Sequence, residues 1–115
     1  RAARIVSDGR GVAATFDGPA RALECAVVVS RLLRDARREH RIGLHTGEVS
    51  LEGGSLNGTA MAIASDVAEH AGNGEVLASR TVNDLVAGSG IALRDRGEFA
   101  LRSIGQDWHL FQVAP

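Results

Sequence analysis

Two stretches with helical spacing, each enclosed by β-prone runs, limit this chain more than any other feature. In the first, Leu23, Ala26, Val27, Ser30 and Leu33 fall on one face, and Asp17-Gly18-Pro19 opens it with proline at an early helical position. In the second, over 59–71, the shared face carries Ala60, Ile63, Ala64, Val67 and Ala71. Gly72-Asn73-Gly74 ends that stretch, with glycine where a left-handed cap is wanted. Before the first helix, two short β-prone runs over 4–16 flank Gly9 and Gly11, which predicts a hairpin. Between the helices, Arg41–Leu51 alternates well enough for one strand with Ile42, Leu44 and Val49 inward, and 52–55 reads as a loop. Glu75–Ser79 predicts a short strand. Thr81 to Asp84 fits a capping box that starts a short helix ending near Gly88. Two last strands are expected near 91–101 and 108–113. The order ββ-α-β-α-β-α-β-β, with hairpins at both ends, predicts an α+β fold rather than a doubly wound parallel sheet. The 115 residues suit a single domain over 1–115.

Composition removes several function classes. The net charge is −1 and aromatic residues make up 3% of the chain, so neither a basic field nor stacking platforms favour nucleic acid. All 13 basic residues are Arg, which excludes Schiff-base or P-loop lysine chemistry. An Arg-only, Ala- and Gly-rich chain also suits a GC-rich genome, such as an actinobacterial one. Cys25 is the single cysteine, so neither an intrachain disulfide nor a cysteine-rich metal site can form; within the apolar run 22–29 it reads as a buried small hydrophobe. No apolar run is long enough to span a bilayer or to serve as a secretory core, and a cytoplasmic domain excised from something longer is expected.

Four segments, taken in order, resemble the catalytic domain of class III adenylate/guanylate cyclases. GVAATFDGPARA over 11–22 is similar to the strand and helix that follow the family's Gly-Asp-Gly turn. IGLHTGEV over 42–49 resembles its Gly-x-His-x-Gly strand. GTAMAIASDVA over 58–68 and GEVLAS over 74–79 occupy the place of a family helix and its following strand. DRGE at 95–98, LRS at 101–103 and WHLF at 108–111 resemble the terminal strands around its Leu-Lys-Gly. The resemblance implies a ferredoxin-like α+β core, truncated at the N-terminal side. It also implies composite sites between two head-to-tail subunits, and two Mg²⁺ or Mn²⁺ ions that activate the ribose 3′-hydroxyl and clamp a triphosphate.

The catalytic groups do not carry over. The resemblance puts the first metal-binding Asp on an opening strand before residue 1, and the second at Arg10, whose guanidinium would repel a cation. Asp8 could replace it only through a compensating bulge. The base-selecting Lys falls near Val6 and its Asp partner at Ser55. The transition-state Asn falls at Ala62 and the Arg at Asp66, four residues on, where a carboxylate would oppose a triphosphate. Arg102, in place of a phosphate-binding Lys, retains its charge. The expected function is therefore a catalytically degenerate cyclase-homology domain, cofactor-free, pairing as a homodimer or with another cyclase-like domain. Two alternatives stand beside it. One is an active adenylate cyclase whose Mg²⁺ or Mn²⁺ ligands come from a preceding segment and Asp8. The other is a nucleotide-binding module without turnover that uses Arg102 and Ser55. The place of the opening strand is expected to be filled by a partner chain, by strand exchange or by rearranged pairing.

Other candidates read as structural. His45 stands in a strand motif beside Thr46. His40, His70 and His109 lack zinc-ligand spacing. Gly9-Arg10-Gly11 lacks the Lys-Ser/Thr that a phosphate loop needs. Asp95 and Glu98 read as solvated charges beside a turn, and Arg31, Arg34, Arg37 and Arg38 as a solvated helix end.

Overall fold

The computed structural model describes residues 2–7, 12–16, 18–47, 50–52, 55–57 and 59–113, with side-chain surroundings for 18–47 and 59–113. Strands β1 (Ala2–Ser7) and β2 (Val12–Phe16) form the antiparallel hairpin expected from the glycines between them. Helix α1 runs from Pro19 to Asp35. Gly18 precedes it at a φ of 143°, a conformation that side chains other than glycine's rarely adopt. The 41–51 segment departs from expectation. Strand β3 ends at Leu44 (Arg41–Leu44), and a separate hairpin follows, β4 (Ser50–Glu52) with β5 (Ser55–Asn57), in which Glu52 pairs with Ser55. Alternation alone could not reveal the break, because a strand and a hairpin arm share the period of two. Val49 lies outside the described residues.

Helix α2 (Thr59–Glu69) leads into β6 (Glu75–Ser79). Helix α3 (Arg80–Leu85) is capped two residues earlier than expected: Ser79, not Thr81, is its N-cap, with its Oγ accepting from the Val82 amide at 3.5 Å. Strands β7 (Leu93–Leu101) and β8 (Gln106–Val113) close the chain. The main sheet is ordered β3-β6-β8-β7. β3 and β6 are parallel and the other two pairs antiparallel, so the chain is α+β, as expected.

The sheet is covered on both faces. All but the first residue of β6 are buried, as its nearly unbroken apolar run requires. Val76 and Ala78 join Leu23 and Ala26 of α1 with Val82, Val86 and Val113. Leu77, pointing the other way, joins Ile63 and Val67 of α2 and Ala71 just beyond it with Leu101 and Leu110. Thus α1 and α3 cover one face and α2 the other. Ile42 and Leu44 of β3 pack towards the α1 side. Gly43 then faces α2, where a Cβ would collide with the Ala64 carbonyl oxygen and the Ala68 amide nitrogen. Ala60, Ala64 and Ala68 recur every four residues, and this small-residue stripe lets α2 lie against the backbone of β3.

Polar ties join the elements at one end of α1. Arg34 donates to the Gly74 carbonyl at 2.8 Å while its side chain stays exposed, as expected of a solvated helix end. The Asn73 side chain accepts from the His40 amide at 3.1 Å, and Ser30 and His40 meet at 2.7 Å. Asp95 and Glu98 lie within β7 and flank a bulge. Gly97 takes a φ of 92° there, and its amide donates to the Asp95 carboxylate at 2.7 Å. Among the described residues no helix is long and apolar enough to cross a membrane.

Candidate functional site

Two places in the fold gather the residues that the sequence singles out. The first is the outer side of α2 and the β7–β8 turn. Ala62 is exposed and Asp66 half-buried, one helical turn apart. The turn brings Arg102 and Ser103 to them. The Asp66 carboxylate accepts from the Ser103 amide at 2.7 Å. The hydroxyl and amide of Ser103 hold the Asp66 carboxyl below the usual carboxylate range, with smaller help from the charges of Arg102 and His70. Arg102 lies 3.4 Å from Glu69 with its side chain 89% exposed. That pair is loose and solvated, with little stabilising value.

At the position where the resemblance calls for an arginine aimed at a phosphate, the chain therefore has a carboxylate that fastens α2 to the β7–β8 turn. Asp66→Ala is expected to cost about 1 kcal/mol at neutral pH, the range for a charge-assisted hydrogen bond discounted for solvent. The sign follows from the lowered pKa. The contribution is full above the unfolded carboxylate's pKa and vanishes as pH falls through the lower folded value. Urea unfolding at neutral pH and in acid should show the wild-type advantage shrink.

Ser55 lies on β5, which packs near α2, but its side chain is outside the described residues, as are Asp8 and Arg10 entirely. Among the described residues, no group of three His, Cys, Asp or Glu side chains converges to hold a metal ion.

The second place surrounds the free edge of β3. No described strand pairs with that edge. Beside it lies a groove of about 440 Å³. Its floor is Arg41–Gly47. One wall comes from α1 and includes Ala22, Cys25 and Val29; the other comes from α2 and includes Ala60, Met61 and Ala64. Because α1 and α2 cover opposite faces of the sheet, the groove is a slot that continues the sheet past its edge strand. Cys25 is half-buried on this wall, not enclosed in the core as its apolar neighbours suggest.

His45 stands at the slot where β3 ends. Its Nδ1 meets the Ser79 Oγ at 2.7 Å, and its ring centroid lies 5.5 Å from that of Trp108. Ser79 is fully buried, and its oxygen also accepts from the Val82 amide. Burial pushes the His45 pKa down, which keeps the ring neutral near pH 7. His45 links the end of β3 to the start of α3.

The slot was legible in part. Cys25, Val28, Val29 and Leu32 form a second apolar stripe on α1 beside the core stripe, and Val28 and Leu32 are 53% and 64% exposed. A helix with two apolar stripes signals two burial partners, and the wider stripe is visible in the sequence.

No protein-family model matches the chain, and no curated protein matches it. Among solved structures, the crystal structure of an adenylate/guanylate cyclase/hydrolase from Silicibacter pomeroyi superposes with a TM-score of 0.82 at 24% identity, over 97% of this chain and 72% of that one. With the helices, the mixed sheet and the four motifs in register, this likeness establishes that the chain has the α+β fold of the adenylate/guanylate cyclases that its sequence resembles.

Proposed function

We propose that this chain is a catalytically degenerate cyclase-homology domain that acts as a dimerisation or regulatory module in signalling. The observation that carries the reading is the use of Asp66. Cyclisation of a nucleoside triphosphate builds negative charge on the α-phosphate, and catalysis requires preorganised positive or hydrogen-bond-donating groups there. On the α2 face, Ala62 offers no donor and Asp66 offers a negative charge committed to the Ser103 amide. Arg102 is turned to Glu69 in solvent. Arg10, in the place of a metal-binding carboxylate, would repel the cations that activate the 3′-hydroxyl.

A scaffold outlives such losses because apolar packing needs none of the catalytic groups. The partner that fits this reading is a second copy or another cyclase-like domain. Incubation of the purified chain with ATP or GTP and Mg²⁺ or Mn²⁺ is expected to yield no cyclic nucleotide above a protein-free control. Metal-dependent cyclic AMP, abolished by Asp8→Asn, would replace this reading with that of an active cyclase.

A further inference from the structure

We propose that the surface where β6, β8 and β7 come together binds a phosphate group between the guanidinium groups of Arg94 and Arg96. The proposal does not depend on the reading of the chain as a non-catalytic module.

Strand register gathers the residues. Arg94 lies directly opposite Gln112 across β7 and β8. Arg96 is two residues on, so the period of two returns it to the same face just before the bulge at Gly97. Both arginines donate to the Gln112 Oε1, at 2.9 and 2.8 Å. One neutral oxygen therefore holds two cations side by side. From β6, on the other side of β8, the Glu75 carboxylate accepts from Arg96 at 2.9 Å. The Gly72 amide donates to the other oxygen of that carboxylate at 2.7 Å. The Gly72 bond first, then the two arginines, hold the Glu75 carboxyl below the usual carboxylate range against the opposing effect of burial.

Charge leaves the cluster incomplete. Two guanidinium groups face one carboxylate, so one positive charge is in excess. Among the described residues, Arg94 makes ion-pair contact with no carboxylate. Like charges held this close repel each other unless an anion lies between them. A glutamate at 112 would close the network with the chain's own atoms. Glutamine, of the same shape, gathers the two arginine forks without cancelling either. Arg94 is exposed and Arg96 half-buried. These contacts occupy one nitrogen of each fork, which leaves the other donors for a ligand.

The number of forks selects phosphate over carboxylate. A carboxylate has two oxygens, which a single arginine fork fills. A phosphate monoester has three terminal oxygens and bridges two forks. Its source is a small phosphate ester or a phosphorylated side chain of another polypeptide.

The test is a nuclear magnetic resonance titration of the ¹⁵N-labelled protein with inorganic phosphate at constant ionic strength, read on the arginine Nε–H signals. Saturable shifts centred on Arg94 and Arg96 are expected, with a Kd of about 1–10 mM for two solvent-screened contacts. Arg94→Gln should weaken binding at least about tenfold. Gln112→Glu should abolish it, because the new carboxylate pairs with both forks, and should leave the rest of the amide spectrum unchanged. Arg31→Gln removes the same charge from the exposed side of α1 and should leave binding as it is. Equal shifts with acetate overturn the proposal, as does full binding by the Gln112→Glu variant. An Arg31→Gln loss as large as that of Arg94→Gln also overturns it, in favour of general charge attraction. Absence of saturation up to about 50 mM phosphate does the same. A phosphoserine peptide that binds at least about tenfold more tightly than inorganic phosphate identifies a polypeptide as the source; one that binds no more tightly identifies a small ester.

Discussion

Gly43→Ala is expected to destabilise the domain by about 3 kcal/mol or more, at the upper end of the cost of forcing extra volume into a packed interface. The added methyl would occupy the space of the Ala64 carbonyl oxygen and the Ala68 amide. Those are backbone atoms of a helix, so no rotamer change relieves the overlap and α2 itself must move. Moving α2 opens the second core, in which Ile63 and Val67 pack on Leu77 and Leu110. It also widens the slot, since Ala60 and Ala64 form its α2 wall. Chemical denaturation should show a large fall in midpoint with little change in slope. An unfolding free energy within 1 kcal/mol of wild type, roughly the spread of ordinary substitutions, would mean that α2 does not lie against β3 as described.

Leu77→Ala is the second large effect, at about 3–4 kcal/mol. Leu77 is fully buried in the central strand β6 and contributes to the α2-side core. Truncation removes the transfer energy of the lost methyl groups and leaves a cavity, and the strands on either side restrain its collapse. Val28→Ala on the exposed side of α1 serves as the control, with a change within about 0.5 kcal/mol. Thermal unfolding of both variants checks the contrast. Comparable losses would mean that the α1 stripe is already covered in the isolated protein.

The helices and most strands were legible because their causes are local. Leu23, Ala26 and Ser30 are buried as the 3/4 spacing of α1 predicts, and Ile63 and Val67 follow the same rule on α2, while Ala71, buried as expected, lies just past the end of that helix. Glu75–Ser79 is a strand as expected, with Val76, Leu77 and Ala78 as its apolar centre. The misplaced boundaries have local causes too. A break after Leu44 is invisible to a period-two pattern that resumes at Ser50. Ser79 took the capping role from Thr81 because β6 delivers it in extended conformation to the helix start.

The candidate site divides in the same way. By itself the sequence supplied the resemblance on which Ala62, Asp66 and Arg10 fall where the cyclase pattern implies an amide, a guanidinium and a carboxylate, because residue identity is a one-dimensional fact. The four motifs also carried the fold, later matched by the cyclase/hydrolase structure. Only the tertiary structure decided what Asp66 does, since the Ser103 amide is 37 residues away in the chain and reaches the carboxylate through the β7–β8 turn. Only the tertiary structure placed Cys25 and Val29 of α1 opposite Met61 and Ala64 of α2 as the walls of one slot. Periodicity reports which side of a helix seeks cover; which strand edge lies between two such sides depends on contacts between residues far apart in sequence.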